Sequence, residues 1–282
     1  MKIATWNVNG IRARAAQLHE LIAREQPDFL CLQEIKAAPA QLAPELCELE
    51  GYWCYWHGEK GYSGTALHIR KAAVAGRPEF SHPPFDLENR IVAGQVQTSD
   101  GPLTVASTYV PNGGKDFPGK LRFLEAMANF AGSFHATGAA LVICGDLNVA
   151  RTDMDVHPKE RKPRAIGQLP EERALIEQLL AEGLVDIARQ LHPDDAELFT
   201  WWAPWRNLRQ RNIGWRIDYI LASEALAARA RSFVSQREFG TSDHAPVIAE
   251  IDWGKASGSA GSTSSTGSTG SGSGPFTGRL PW

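Results

Sequence analysis

The chain has 282 residues, 43% hydrophobic and 22% charged, with 29 basic residues against 32 acidic ones and a formal charge of −3. This composition excludes a collagen-like, wholly disordered or disulfide-scaffold protein, and the length is enough to bury a core without staples. The last 29 residues hold two basic residues and no acid, which leaves the first 253 with 27 basic against 32 acidic; bulk charge gives no reason to expect nucleic acid, so such binding must come from local patches.

Taken in chain order, residues 2–8 read as a strand. Ala15, Leu18, Leu21 and Ile22 recur at helical spacing, and Pro27 with Asp28 stops that helix. Residues 29–33 form a short apolar strand, and residues 52–57, 64–70, 91–98 and 103–110 also read as strands. Leu121, Leu124 and Ala128 predict a helix ending near Gly132, and residues 140–144 a buried strand. Pro170 opens a helix with Leu175, Ile176, Leu179 and Leu180 on one face, and Gly183 closes it. Residues 216–222 and 247–251 are the last strands. Hairpin-like strand pairs mixed with helices predict packed sheets with helices outside. From Gly254 the chain turns Gly/Ser/Thr-rich, so residues 254–274 are expected to be a flexible, disordered linker. It ends in Pro275-Phe276-Thr277-Gly278-Arg279-Leu280-Pro281-Trp282, either a docking peptide for a protein partner or a neutral or engineered tail. No apolar stretch approaches the ~18 residues of a membrane span, and the N-terminus lacks an apolar signal-peptide core. Cys31, Cys47, Cys54 and Cys144 show no CxxC spacing and read as reduced thiols of a cytoplasmic protein.

The informative feature is where polar residues fall. Apolar runs end in Trp6-Asn7-Val8-Asn9-Gly10, in Gln33-Glu34, in Tyr109-Val110-Pro111-Asn112-Gly113 and in Gly145-Asp146-Leu147-Asn148, while Ser242-Asp243-His244 precedes the final strand. Ligand sites gather at strand ends, because strands aim loop residues at one point. Glu34, Asp146 and Asp243 supply carboxylates, and Asn7, Asn9 and Asn148 neutral oxygens. Such hard donors suit Mg²⁺ or Mn²⁺ rather than zinc, and a divalent ion that neutralises phosphate charge is a standard device for phosphodiester hydrolysis. Asp146 is the carboxylate expected to deprotonate a water, His244 to hydrogen-bond the phosphate, and Asp218 to hold the His244 ring. Singly, each motif is more often a turn, a cap or a solvated strand end. Their joint occurrence reverses those odds.

Together the motifs resemble the exonuclease III-type apurinic/apyrimidinic endonucleases of the endonuclease/exonuclease/phosphatase superfamily. The matching segments are Trp6-Asn7-Val8-Asn9-Gly10-Ile11-Arg12, Leu32-Gln33-Glu34-Ile35-Lys36, Tyr109-Val110-Pro111-Asn112-Gly113, Gly145-Asp146-Leu147-Asn148, Gly214-Trp215-Arg216-Ile217-Asp218-Tyr219 and Ser242-Asp243-His244-Ala245-Pro246, spread over residues 1–253. The resemblance implies a single α/β domain, a four-layered α/β sandwich of two packed mixed β-sheets flanked by helices. It implies Mg²⁺-dependent cleavage 5′ to abasic sites in duplex DNA, with 3′-to-5′ exonuclease and 3′-end-cleaning activity, by a monomer. It places Asn7, Glu34, Asp146, Asn148, Asp243 and His244 at the metal site, with Glu34 the principal ligand. It gives catalytic roles to Tyr109, Asp146, Asn148, Asp218 and His244. DNA contacts fall to Asn112, Trp201, Arg209, Arg211, Trp215 and Ile217, with Trp201, Trp215 and Ile217 forming an apolar pocket for a flipped-out abasic sugar.

The loop at 200–216 combines four Trp with four Arg, and Lys159, Arg161, Lys162 and Arg164 form a second basic run; both are expected to grip the backbone. Trp202 and Trp205 are expected in the core. Two alternatives are a superfamily phosphodiesterase acting on inositol phosphates or sphingomyelin, and a non-catalytic regulator that binds RNA or protein. The Gly-Trp-Arg-Ile-Asp and Tyr-Val-Pro-Asn-Gly segments argue against the first. The intact Glu34 and Asp146 argue against the second.

Overall fold

A computed structural model describes residues 1–98 and 100–253; the expected linker and terminal peptide, residues 254–282, lie outside them. In chain order the elements are β1 (Lys2–Asn7), α1 (Ala15–Glu25), β2 (Phe29–Gln33), α2 (Pro44–Cys47), β3 (Tyr52–Glu59), β4 (Tyr62–Arg70), β5 (Ala75–Ser81), β6 (Ile91–Thr98) and β7 (Gly101–Tyr109). They continue with α3 (Phe117–Thr137), β8 (Ala140–Asp146), α4 (Pro170–Ala181), β9 (Leu184–Asp186), α5 (Ile187–Leu191), β10 (Asp218–Ser223), α6 (Glu224–Ala227), β11 (Ala230–Ser235) and β12 (Val247–Ile251). Two six-stranded sheets run in the orders β11-β12-β1-β2-β4-β3 and β5-β6-β7-β8-β10-β9. Each is built around one parallel pair, β1 with β2 and β7 with β8, flanked by antiparallel strands.

Side chains alternate across a strand, and the sequence uses both faces. Ile3, Phe29, Cys31, Val105, Val142, Cys144 and Ile220 meet between the sheets. Ala4, Trp6, Leu30 and Leu32 face outward onto Leu18 and Leu21 of α1. On the second sheet Ala106, Leu141, Ile143 and Leu221 face Leu124, Met127, Ile176 and Leu179 of α3 and α4. Helix, sheet, sheet, helix is the four-layered sandwich that the motifs implied.

Helix α3 runs past its expected end. Gly132 lies inside it, where an added Cβ would sit 2.6 Å from a Glu182 carboxylate oxygen; that glycine permits close packing and is not a stop. Gly138, at φ 66, ends the helix in the left-handed conformation. Strands β5, β9 and β11 escaped the sequence reading: β5 contains Gly76 and Pro78 and forms a sheet edge, β9 has three residues, and β11 is a half-exposed edge. The four cysteines are free, and no helix among the described residues is long and apolar enough to cross a membrane.

Candidate active site

The inward rows of both sheets turn polar toward one end. Ile3 is followed at two-residue steps by Thr5 and Asn7, Phe29 by Cys31 and Gln33, and Val142 by Cys144 and Asp146. Thr5 Oγ1 donates to Gln33 Oε1 at 3.2 Å, and Gln33 Nε2 donates to Ser107 Oγ at 3.1 Å across the sheets. Register then sets the site: Asn7 pairs with Gln33 in one sheet, and Tyr109, Asp146 and Asp218 lie in one row of the other. Gly145 is obligatory there. At φ 142, its Cβ would fall 1.9 Å from the Thr108 carbonyl oxygen.

Asn7 joins the two carboxylates. Its Nδ2 donates to Glu34 Oε1 at 2.9 Å and to Asp146 Oδ2 at 3.0 Å, while its Oδ1 accepts the Asn9 N–H at 3.0 Å. Asn7 therefore orients the ligands through its amide N–H. Asn9, Glu34, Lys36 and Asn148 all hold positive φ, between 44 and 53°. Such left-handed backbone in residues other than glycine costs ~1 kcal/mol or more each and collects at functional sites. Asp146 Oδ1 accepts the Asn148 N–H at 2.8 Å. His244 Nδ1 lies 2.9 Å from Asp218 Oδ2, and its Nε2 lies 3.7 Å from Asp146 Oδ2.

Burial alone would lower the His244 pKa, but Asp218 and Asp146 outweigh it and raise it to about 10. Burial lifts Asp146 to about 7; His244 opposes, while Asp218 and Glu34 add to the rise. Burial would also raise Glu34, yet the Asn7 amide and Lys36, 2.7 Å away, hold it low. Burial, with Glu34 and Asp146 adding, keeps the Tyr109 phenol protonated far above its ordinary range. The cluster thus offers one low carboxylate, one carboxylate poised near neutrality and two proton donors.

These groups open on a cavity of about 350 Å³ lined by Glu34, Tyr109, Asn112, Asp146, Asn148, Ile166, Trp201, Trp215, Ile217, Asp243 and His244. A larger cleft of about 540 Å³, around Arg24, Phe199 and Arg237, holds none of the expected site residues. Trp201 and Trp215 meet edge to face at 5.6 Å, and Ile217 is buried beside them. Asp243 reaches the rim with both oxygens engaged: Oδ1 accepts from Asn9 Nδ2 at 2.9 Å and Oδ2 from Trp201 Nε1 at 3.0 Å. Its loop is fixed by Ser242 Oγ donating to the Asn7 carbonyl at 2.7 Å and Trp6 Nε1 donating to the His244 carbonyl at 3.2 Å.

The arginines part company. Arg209 donates to the carbonyls of Arg237 and Phe239 at 2.7 and 2.8 Å and also to that of Ser242, so it braces the His244 loop with three of its five N–H groups. Arg211 is exposed, with one long contact of 3.5 Å to the Arg206 carbonyl. Trp202 is in the core, as expected. Trp205 is not: it is 59% exposed, because the loop turns at Arg206 and Asn207, both at positive φ. Lys36 and Arg90 went unnoticed in the sequence. Arg90 is buried, with its guanidinium 4.7 Å from the Tyr109 ring centroid, but it precedes β6 outside any motif.

Beneath the pocket wall, Arg216 is fully buried, with Nε 2.7 Å from Asp155 Oδ1 and Nη2 2.8 Å from Asp186 Oδ2. Arg189 joins Asp155 at 2.6 Å. Burial would raise the Asp155 carboxyl, but Arg216 and Arg189 hold it down to about 2. The folded chain keeps the carboxylate ionised where the unfolded chain takes up a proton. This contribution, ~2 kcal/mol, is therefore full above pH ~4 and is lost as pH falls through about 2. Asp155→Asn is expected to cost ~3 kcal/mol or more and to flatten the fall of the urea midpoint between pH 4 and 2. An unaltered pH slope would contradict the assignment.

The donor chemistry fits a hard divalent cation. Glu34, Asp146 and His244 each present an atom within 4.8 Å of the other two, and Asp243 falls outside that group. Asp218 and Asp146 favour the charged His244 ring, so its Nε2 would donate, and Glu34 and Asp146 are the carboxylates that would hold the ion. Glu34, with a side chain 17% exposed against 1% for Asp146, faces the cleft more openly.

A model of the endonuclease/exonuclease/phosphatase family matches residues 4–244. The chain is 34% identical over 266 residues to exodeoxyribonuclease III of Haemophilus influenzae, covering 89% of this chain and 100% of that protein. It is 34% identical over 260 residues to the DNA repair nuclease APEX1 of Danio rerio, covering 88% and 81%. Among solved structures it superposes on the 3′-5′ exonuclease NExo of Neisseria meningitidis with a TM-score of 0.80 at 35% identity, covering 90% and 100% of the two chains. An AP endonuclease of Archaeoglobus fulgidus gives 0.78 at 29% identity, covering 89% and 99%.

Proposed function

This chain belongs to the endonuclease/exonuclease/phosphatase family and is a DNA-repair nuclease of the exonuclease III type, and on that footing we propose that it uses Mg²⁺ to hydrolyse the phosphodiester 5′ to abasic sites in duplex DNA and to trim 3′ ends. One observation carries the reading. The apolar wall of Trp201, Trp215 and Ile217 and the charged group of Glu34, Asp146 and His244 line the same 350 Å³ cavity. A sugar without a base enters such a pocket at low extrusion cost, and a full nucleotide is excluded by size.

Asp146 takes a proton from a water, whose oxygen attacks phosphorus. Asn148, bonded to Asp146 through both its backbone and its side-chain N–H, helps to place that water. His244, held by Asp218, donates to the phosphate oxygen as its charge builds. Tyr109 donates on the side where the 3′ oxygen departs. Glu34, with Asp146 beside it, would hold the divalent ion, which supplies positive charge against the phosphate. Arg211 and the exposed ring of Trp205, on the loop that carries Trp201 and Trp215, offer charge and a stacking face.

The test is a gel assay on matched duplexes, one carrying a single abasic analogue. The expected result is a nick 5′ to the analogue in Mg²⁺, abolished by a chelator and at least ~100-fold slower on the intact duplex. Equal cleavage of both duplexes would remove the pocket assignment. Cleavage that survives chelation would remove the metal.

A further inference from the structure

The side chains of Lys120, on α3, and Glu172, on α4, are both fully buried and form an ion pair directly behind the active-site cavity. Neither belongs to a motif that the proposed chemistry uses. Their remaining bonds go to the loops around the cavity. Lys120 Nζ also donates to the Asn148 carbonyl at 2.7 Å and to the Asn112 carbonyl at 3.4 Å, so its three protons meet three acceptors. Glu172 Oε2 accepts the N–H groups of Gly167 and Leu169 at 2.7 and 3.1 Å.

We propose that Lys120 and Glu172 are positioning residues for the hydrolysis: a buried ion pair that locks the loop bearing Asn112 and the two ends of the β8–α4 connection, which bear Asn148 and Ile166, into one frame around the scissile phosphate. The inference rests on the function proposed above. Asn112 follows β7, while Asn148 and Ile166 lie near the two ends of the connection from β8 to α4, which the Ala150 N–H bond to the Gly167 carbonyl at 2.8 Å draws together; no bond of local sequence ties the Asn112 loop to that connection. Asn112, Asn148 and Ile166 all line the cavity. Asn148 is the critical member. Its backbone is left-handed at φ 53, and its Nδ2 bonds the Val110 carbonyl at 2.9 Å and Asp146 Oδ2 at 3.3 Å. A shift of the carbonyl that Lys120 grips therefore moves the amide that contacts Asp146. Room for the grip is built in: a Cβ on Gly113 would lie 2.9 Å from Lys120 Cδ.

Stability alone does not call for this arrangement. Two ions removed from water repay little unless every donor and acceptor is used, and an apolar pair of similar volume is often as stable or more so. Fold and function can therefore be separated by experiment. The double variant Lys120→Met/Glu172→Leu removes both charges together, so neither is left buried alone. Because the Asn112 and Asn148 carbonyls and the Gly167 and Leu169 N–H groups lose their partners, it is expected to melt about ten degrees below the wild type, to bind an abasic duplex in chelator within about threefold of wild-type Kd, and to lose kcat by ~100-fold, the scale of a misplacement near 1 Å. A second variant, Glu172→Gln, keeps an acceptor for Gly167 and Leu169 and removes only the counter-charge; a smaller loss of kcat at unchanged Kd is expected. Wild-type kcat in both variants would overturn the proposal. A melting temperature tens of degrees lower in the double variant would also overturn it, by making the pair a support of the fold. A wild type that leaves the abasic duplex uncut would bring down the proposed function, and this inference with it.

Discussion

Asp146→Asn is expected to slow nicking of an abasic duplex by about 10³- to 10⁴-fold while duplex affinity stays within a few fold. The two side chains are nearly equal in size, and an amide at this place still accepts through its oxygen the bond that Asn148 N–H gives to Oδ1 at 2.8 Å. What it cannot do is accept at the Oδ2 place the N–H groups that Asn7 and Asn148 direct there at 3.0 and 3.3 Å, or take a proton. Asp146 is the group equipped to do so, because burial, with Asp218 and Glu34 adding, brings it to about 7 despite the opposing charge of His244. Loss of the charge also frees the phosphate from a nearby like charge, so tighter binding would fit the account. A rate within tenfold of the wild type would move the base elsewhere.

Asp218→Asn is the second large effect, expected near 10³-fold at neutral pH and larger in alkali. In the wild type, burial works against a charged His244, and Asp218 at 2.9 Å, with Asp146, overcomes it to give a pKa of about 10. The imidazole therefore stays a donor through neutral pH. The wild-type profile should rise as Asp146 ionises through about 7 and fall as His244 loses its proton through about 10. With Asn at 218 the main support for the charged ring is gone, so the alkaline limb should move down toward the ordinary histidine range of ~6.5. A pH–rate profile of single-turnover cleavage reads both limbs. An alkaline limb that stays in place would detach Asp218 from the role given to it.

Much of this site was legible because strand ends leave a simple trace. An apolar run that stops at Asn7, Gln33, Tyr109 or Asp146 marks where the inter-sheet core gives way to polar contacts, and period-two alternation puts those side chains on the inner face. Asp218 and His244 were legible as a pair because a carboxylate behind an imidazole favours its charged form and fixes its tautomer. Composition failed where a residue's partners lie far away in sequence. Arg209 and Arg211 look alike in the chain, yet the first braces three carbonyls from 237–242 and the second is exposed. Trp205 looked like core because tryptophan is usually buried; two left-handed residues after it set the ring outside. The Asp243 carboxylate accepts from Asn9 and Trp201, partners that its own motif does not show. Lys120 could not have been found without knowing that the Asn112 and Asn148 carbonyls converge on one point.

The central claim is that a divalent ion at Glu34 meets a phosphate held between Asp146 and His244. Diffraction at the manganese edge, from crystals grown with Mn²⁺ and an abasic duplex, tests it most directly. The account predicts an anomalous peak against the Glu34 carboxylate, with the phosphate 5′ to the abasic sugar facing Asp146 and His244 and the sugar against Trp201 and Trp215. A peak away from Glu34, or DNA seated with those two side chains off its backbone, would contradict it.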